Sequence, residues 1–286
     1  MQTFAYYRPD SIYDLFDLIH RYSPNFRLLA GGTDLLVRLK TGKFTPEAVI
    51  DIKNISELND RIVEDVESVH IGALTLMAAL EINPVIKRHF PALAEAAHHV
   101  GSVQIRNRAT IAGNLCNASP AADSAPSLYI YNAKVNCISP RGKRTLPLVD
   151  FILGPGKTAL ASDELVQSIT IPIPGPNQSA AFTRLSRRKG VDLATINLCC
   201  QVTRSGITRF AQGAVGPVPI LVEDVDGLLT SETTSLEQKK LRVTQLMERA
   251  TPISDSRASK EYRQAMLDVL GMRALNKALQ QLQLSQ

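Results

Sequence analysis

The stretch Arg106–Pro126, RNRATIAGNLCNASPAADSAP, contains almost no large side chains. Its small residues neither alternate as in a strand nor recur at helical spacing, which predicts a loop. Gly113 permits close approach of a ligand to the backbone. An unpaired buried polar atom costs about 1–3 kcal/mol, so the many polar groups here favour a bound ligand over a tightly packed, empty loop. These groups belong to Thr110, Asn114, Asn117 and Asp123.

A second small-residue loop lies upstream, in RLLAGGTDLL at Arg27–Leu36. Gly31 and Gly32 separate a short apolar strand from an amphipathic segment, with Thr33 as the expected N-cap. Glycines expose backbone N–H groups, and a helix N-terminus adds further donors for an anion. Considered alone, this loop fits a tight strand-to-helix turn without a ligand as well as it fits an anion site. Two such loops in one chain predict an extended phosphate ligand with several hydroxyl groups, held between them.

The composition excludes several classes of function. The 286 residues are 44% hydrophobic and 21% charged, as in a soluble globular protein of one large or two smaller domains. The net charge of +5 comes from scattered basic residues and there is no Trp, which argues against nucleic-acid binding. No apolar run is long enough to cross a membrane. Four cysteines without a C-x-x-C pair predict a reduced, cytoplasmic protein with no metal site.

The order of predicted elements indicates an α+β fold in two parts. The first part begins with strand–turn–helix–strand and continues into a second α/β unit with an antiparallel hairpin. The stretch PGPNQSA, at Pro174–Ala180, is the predicted linker. Strand patterns and then two helical segments follow it. We therefore predict an N-terminal domain at 1–176, with subdomains at about 1–60 and 61–176, and a C-terminal domain at 177–286.

No catalytic arrangement of side chains stands out. The sequence GPGKT, at Gly154–Thr158, lacks the first glycine of a P-loop, because that position is Phe151. His98 and His99 have no carboxylate or cysteine at metal-ligand spacing. There is also no Ser-His-Asp, Cys-His or paired-carboxylate pattern. The chain therefore has the features of a protein that holds a cofactor, with the cofactor performing the chemistry.

Three segments together resemble a known family. They are LLAGGTDLL at Leu28–Leu36, VQIRNRATIAGNLCNASPAADSAP at Val103–Pro126 and LSRRKGVDLATI at Leu185–Ile196. In this order and spacing they resemble the FAD-binding medium subunit of molybdenum hydroxylases, and among these the flavin subunit of bacterial xanthine dehydrogenases. The resemblance extends over essentially the whole chain.

The resemblance implies a fold and a set of cofactor-binding residues. The N-terminal domain would be a PCMH-type FAD-binding domain of two α/β subdomains, and the C-terminal domain an antiparallel sheet with helices of the CO dehydrogenase flavoprotein type. The first loop would hold the pyrophosphate, Asp123 would bind ribityl or ribose hydroxyls, and the segment around Leu193 would approach the flavin ring. The implied set is Leu29, Ala30, Gly31, Gly32, Thr33, Asp34, Leu35, Val100, Thr110, Gly113, Asn114, Asn117, Asp123, Val166, Arg184 and Leu193.

The resemblance also implies an electron-transfer function. A molybdenum-binding large subunit would hydroxylate a purine, and a small subunit with 2Fe-2S clusters would pass the electrons to FAD, with NAD as the acceptor. This chain would then carry no catalytic residue and no metal. Related medium subunits of carbon monoxide, nicotinate, aldehyde and aromatic-CoA enzymes share the motifs and remain alternatives. A flavin-free scaffold subunit is an alternative of a different class, and a stand-alone flavin oxidase is a third.

Overall fold

The computed structural model describes residues 2–284. Its first unit is a parallel three-stranded sheet in the order β1-β3-β2, with two helices. The side chain of Ser11 caps helix α1 by accepting a hydrogen bond from the N–H of Asp14. Leu15 and Ile19 of α1 are buried together with Ile50 of β3. The elements are β1 Ala5–Tyr7, α1 Ile12–Tyr22, β2 Phe26–Leu29, α2 Leu35–Lys40 and β3 Ala48–Asp51. The predicted strand–turn–helix–strand unit is present.

The second unit is an antiparallel five-stranded sheet in the order β4-β5-β10-β6-β7, packed against short helices. Its strands are β4 Ile62–Glu64, β5 Ser68–Gly72, β6 Lys134–Ser139, β7 Gly142–Pro147 and β10 Leu165–Pro172. The helices are α3 Met77–Ile82, α4 Pro84–His89, α5 Pro91–His98, α6 Val103–Arg106, α7 Ile111–Asn117, α8 Ser124–Ile130 and α9 Leu148–Phe151. A small hairpin of β8 Ile152–Gly154 and β9 Lys157–Thr158 completes the unit, so GPGKT forms a turn between strands.

The prediction of a loop over Arg106–Pro126 is wrong for most of its length. Helix α7 begins after Thr110, whose side chain accepts a hydrogen bond from the N–H of Gly113 at 3.1 Å. It ends at Ala118, which has a left-handed φ of 45°. Every residue of α8 is buried. Small side chains let these helices pack closely, and α8, which is buried on all sides, has no amphipathic stripe from which to predict it.

The C-terminal unit is an antiparallel four-stranded meander covered by a long helix. Cys199 of β12 packs into the core of the N-terminal part, whereas its neighbour Cys200 packs beneath the C-terminal helices. The sheet is therefore buried on both faces. Its elements are β11 Gln178–Leu185, β12 Ile196–Thr203, β13 Thr208–Gly213, β14 Ile220–Asp224, α10 Leu236–Met247 and α11 Lys260–Leu284. No helix within residues 2–284 is long and apolar enough to span a bilayer.

A buried arginine fixes the start of β12. Arg263 of α11 is 2% exposed and donates hydrogen bonds to the carbonyl oxygens of Thr195 and Ala214, each at 2.7 Å. It also pairs with Asp255 at 2.7 Å. Two backbone carbonyls and a carboxylate thus compensate the burial of the charge. The N–H of Ala214 in turn donates to the carbonyl of Pro120 at 2.8 Å, so this network also joins the two parts of the chain.

Candidate cofactor site

A cleft lies between the loop after β2 and the helices α7 and α8. It consists of two adjoining cavities of about 890 and 530 Å³. Both cavities are lined by Thr33 and Arg38 on one side and by Asn114 and Asn117 on the other. The two small-residue segments of the sequence therefore face each other across one cleft, as the sequence predicts.

The loop after β2 presents backbone donors to this cleft. Gly31 packs against the backbone of another segment of the same chain. A Cβ atom at this position would lie 2.0 Å from the carbonyl oxygen of Arg108. Gly32 has a φ of +74°, which favours glycine. Helix α2 begins at Leu35. Its N-cap residue is Asp34, not the predicted Thr33, and the Asp34 side chain forms no capping hydrogen bond. Within the described chain, the N–H groups of Thr33, Asp34 and Leu35 donate no hydrogen bond. They are available to an anionic ligand.

Helix α7 presents its polar face from the opposite side. A Cβ atom at Gly113 would lie 2.7 Å from the Thr110 hydroxyl, so glycine lets the cap and the helix approach closely here. The amide oxygen of Asn114 accepts a hydrogen bond from Ser124 at 2.7 Å, and that of Asn117 accepts one from Arg38 at 2.5 Å. Neither amide nitrogen donates to any group of residues 2–284, so both are available to a ligand.

Asp123 lines the cleft and is held by a buried ion pair behind it. The guanidinium of Arg184 donates to Asp123 Oδ1 at 3.0 Å, and both side chains are 7% exposed. Asn197 donates to the same oxygen at 2.9 Å. Burial raises the pKa of Asp123 to about 6, and the charge of Arg184 opposes that rise. Asp123 Oδ2 accepts no hydrogen bond from the part of the chain that the structure describes, so it is free to accept one from a ligand hydroxyl.

The segment before β12 closes the mouth of the cleft. Asp192 accepts a hydrogen bond from Arg187 at 3.1 Å and another from the N–H of Leu193 at 2.9 Å. Arg184 donates to the carbonyl oxygen of Asp192. Val191 and Leu193 line the cleft, and their side chains are 59% and 58% exposed. The mouth thus presents two exposed apolar side chains on a loop that charged groups hold in place.

The segment that carries Val100 is held by a charged cluster behind it. Val100 lines both cavities. The buried Arg106 donates to Glu81 at 2.7 Å and to the carbonyl of Val100 at 3.5 Å. Glu81 also pairs with His98 at 2.8 Å, and these two partners lower the pKa of Glu81. His98 is therefore part of a hydrogen-bonded cluster with Glu81 and Arg106. No group of three or more candidate metal ligands is found within residues 2–284.

Backbone donors, amide nitrogens and a carboxylate oxygen around one elongated cleft fit a dinucleotide with a diphosphate and sugar hydroxyls. Comparison with known proteins identifies the ligand. Residues 2–174 match the FAD binding domain in molybdopterin dehydrogenase, and residues 180–278 match the CO dehydrogenase flavoprotein C-terminal domain. The chain belongs to the FAD-binding subunits of the molybdenum hydroxylase family. FAD as the cofactor and the two-part α+β fold are thereby confirmed, which disfavours the flavin-free scaffold.

Relatives with different substrates are similar to this FAD-binding subunit. The xanthine dehydrogenase FAD-binding subunit of Escherichia coli O157:H7 is 31% identical over 281 residues, or 96% of both chains. The nicotinate dehydrogenase FAD-subunit of Eubacterium barkeri is 31% identical over 272 residues, or 92% of both chains. A solved carbon monoxide dehydrogenase from Hydrogenophaga pseudoflava has a chain with a TM-score of 0.90 and 31% identity, covering 97% of both chains.

The structure brings most of the predicted cofactor-binding residues of this FAD-binding subunit to the cleft, but three do not line it. Leu29 ends β2 behind the glycine loop. Arg184 lies behind Asp123 and donates to it. Val166 lies in β10, is 4% exposed and packs in the core. The contacts of all sixteen predicted residues with FAD stay predictions. The lining residues are Ala30, Gly31, Gly32, Thr33, Asp34, Leu35, Val100, Thr110, Gly113, Asn114, Asn117, Asp123 and Leu193.

Sequence reasoning missed a basic and aromatic wall of the cleft. It is formed by Arg27, Arg38, Lys43 and Phe44, which come from β2, α2 and the turn after α2. The N–H of Phe44 donates to the carbonyl of Arg38 at 3.2 Å and folds this turn back onto the helix. The density of basic residues immediately after the glycine pair was an available signal. Basic residues are scattered along the whole chain, and this local density therefore does not stand out as a binding site.

Proposed function

We propose that this chain is the FAD-binding subunit of a xanthine dehydrogenase complex, with NAD as the electron acceptor. The observation that carries the proposal is the match to a xanthine dehydrogenase FAD-binding subunit along 96% of both chains. The nicotinate relative has the same identity over a slightly shorter alignment, 272 residues rather than 281. A carbon monoxide dehydrogenase medium chain matches equally well, at 32% identity over 282 residues, so purine is the first substrate to test and nicotinate and carbon monoxide are the essential comparison substrates.

The residues that line the cleft would hold FAD by hydrogen bonds to the diphosphate and hydroxyl groups of the cofactor. The free N–H groups of Thr33, Asp34 and Leu35 would donate to the diphosphate. The amide nitrogens of Asn114 and Asn117 would donate from the opposite side. Asp123 Oδ2 would accept a hydrogen bond from a ribityl or ribose hydroxyl, while Arg184 and Asn197 hold its other oxygen. Bound FAD would supply the redox chemistry, accepting electrons from iron–sulfur clusters and delivering hydride to NAD.

The loop at the mouth of the cleft suits an anionic dinucleotide that approaches from solvent. Arg188 is 71% exposed and lies 3.8 Å from Asp192, which also pairs with Arg187. Leu193 offers an apolar surface beside these charges. A nicotinamide ring could pack against the apolar side chain while the basic residues attract its phosphates. This combination supports NAD as the acceptor.

The remaining parts of the proposal concern the complex and its location. We assign a molybdenum-binding large subunit and a 2Fe-2S small subunit as partners, because the matching family model describes an FAD-binding domain in molybdopterin dehydrogenases. We also propose domains at 1–176, with its two subdomains, and at 177–286. Four free cysteines, three of them buried, and the use of NAD fit a cytoplasmic location.

Substrate oxidation by the assembled complex tests the proposal. The chain would be produced together with its two partner subunits, and NADH formation would be followed with xanthine, nicotinate or carbon monoxide. We expect NADH formation with xanthine. A complex without this chain is the control: it should still reduce an artificial dye with xanthine but should produce no NADH. Turnover of nicotinate or carbon monoxide without turnover of xanthine would refute the substrate assignment, and dye reduction without NADH in the complete complex would refute the acceptor.

The cofactor can be examined separately. The purified chain would be denatured and the released chromophore identified by mass, with the protein concentration measured in parallel. We expect close to one FAD per chain. A colourless chain that takes up no added FAD, alone or with its partners, would support the scaffold alternative.

A further inference from the structure

We propose that Arg38 is a specificity-determining residue of the cleft that binds the diphosphate of FAD. The inference rests on the FAD-binding function but not on xanthine as the substrate. The sequence motifs of the family do not include this residue. The structure places its guanidinium at the junction of the two cavities, where it lines both of them.

The surroundings of Arg38 hold its guanidinium over the cleft. Its guanidinium carbon, Cζ, lies 5.2 Å from the centroid of the Phe44 ring, which is a cation–π distance. One nitrogen donates to the amide oxygen of Asn117 at 2.5 Å, across the cleft from α2. Arg38 therefore bridges two segments that are 79 residues apart in the sequence, and its side chain is half-buried between them.

The positive charge of Arg38 is not neutralised by the protein. Asp34, the N-cap residue of α2, is four residues earlier, a spacing at which an acidic residue and an arginine on one helix face can pair. Yet neither Arg38 nor Arg27 forms an ion pair with any carboxylate among residues 2–284. Arg27 lies over the same Phe44 ring, at 4.6 Å, so two positive charges share one aromatic side chain beside the cavity. An anion between these charges and the glycine loop would relieve their repulsion.

A diphosphate is the anionic group that suits this position. A guanidinium carries five N–H donors in a planar fork, and Arg38 uses one of them within the described chain. The fork matches pairs of phosphate oxygens, whereas a lysine provides a point charge. Thr33 and Asp34, whose N–H groups are free, line the same cavity, so backbone donors and the arginine together would hold the diphosphate. Uncharged flavin without phosphate would gain nothing from Arg38.

Binding of three probes to the full-length chain tests this inference. FAD, ADP and riboflavin would be titrated into the flavin-stripped chain, and dissociation constants measured by flavin fluorescence or calorimetry. ADP carries the diphosphate without the flavin, and riboflavin carries the flavin without phosphate. The variants are Arg38→Met and Arg38→Lys. Arg21→Met is the matched control, since it removes an exposed guanidinium from α1 that does not line the cleft.

We expect Arg38→Met to weaken the binding of FAD and ADP by about 10- to 100-fold, the size of a charge-assisted hydrogen bond, and to leave riboflavin within about twofold. Arg38→Lys should retain part of the affinity, and Arg21→Met should behave as the wild type. Unchanged FAD affinity in Arg38→Met would overturn the inference. So would an equal loss for FAD and riboflavin, which would indicate a general distortion of the cleft and not the loss of a diphosphate contact. If the wild-type chain bound none of the probes, FAD binding by the chain and this inference would both fail.

Discussion

Replacing Arg184 with methionine should destabilise the protein strongly at neutral and alkaline pH but only weakly at acidic pH. Arg184 and Asp123 are each 7% exposed and form an ion pair at 3.0 Å. Removing one partner of a buried ion pair leaves an unpaired buried charge, at a cost of about 3–5 kcal/mol. Methionine keeps much of the volume of the arginine stem, so the change acts mainly on the charge.

The pH dependence follows from the pKa of Asp123. Burial raises this pKa to about 6 in the folded protein, and Arg184 counteracts the rise. Without Arg184 the pKa rises further. A carboxyl group with a raised folded-state pKa stabilises the fold at low pH, and that contribution is lost as the pH increases through the folded-state pKa. At about pH 5 Asp123 in the variant can take up a proton and become neutral. At about pH 8 it either remains an unpaired buried charge or is protonated at a cost in free energy.

Urea unfolding of the flavin-stripped chain at both pH values measures the effect. We expect the free energy of unfolding of Arg184→Met to fall by about 3–5 kcal/mol at about pH 8 and by clearly less at about pH 5. Arg88→Met is the matched control, because Arg88 is 61% exposed and pairs with Glu64 at the surface. Its loss should be about 0–1 kcal/mol at either pH. Equal losses in Arg184→Met at both pH values would refute the argument from the charge of Asp123.

Other substitutions test single contacts. Gly31→Ala should destabilise the chain by about 1–3 kcal/mol in urea unfolding, because its Cβ would lie 2.0 Å from a backbone oxygen, whereas Gly154→Ala, with no atom within 4 Å, should be near neutral. Arg263→Met should cost about 3–5 kcal/mol in the same assay, because it leaves two buried carbonyls without this donor and removes one of the two arginine partners of Asp255; a loss below about 1 kcal/mol would contradict this. Thr110→Val should remove the cap of α7, cost about 1 kcal/mol and weaken FAD binding in a fluorescence titration, and unchanged affinity would show that the cap does not orient the helix.

The glycine loop and its flanking elements could be predicted because their signals are local. An apolar strand, two glycines and an amphipathic segment require only neighbouring residues, and β2, α2 and β3 form as expected. The positive φ of Gly32 could be expected for the same reason, because glycine favours this conformation whatever its distant neighbours are. The reason for Gly31 could not be predicted, because its close neighbour Arg108 is far away in the sequence.

The segment Arg106–Pro126 shows where a local pattern fails. Its small residues give no helical stripe, yet α7 and α8 are helices because neighbouring elements bury them on several sides. Thr110 at the start of α7 was a usable capping signal. Its polar residues were assigned to a ligand site, and the structure does place Asn114 and Asn117 on the cleft. Their side-chain chemistry was enough to predict that these two asparagines line a ligand site, but the helix that carries them could not be predicted.

By itself, the sequence determined the two small-residue segments, the α+β order of elements and membership of an FAD-binding family, because glycine conformations, helix periodicity and short motifs depend on residues close together. Only the tertiary structure decided which charges are paired. Arg184 meets Asp123 across 61 residues, and Arg38 meets Asn117 across 79. Whether a buried or half-buried charge is neutralised depends on the groups that chain folding brings within a few ångströms, and those distances are not encoded in local spacing.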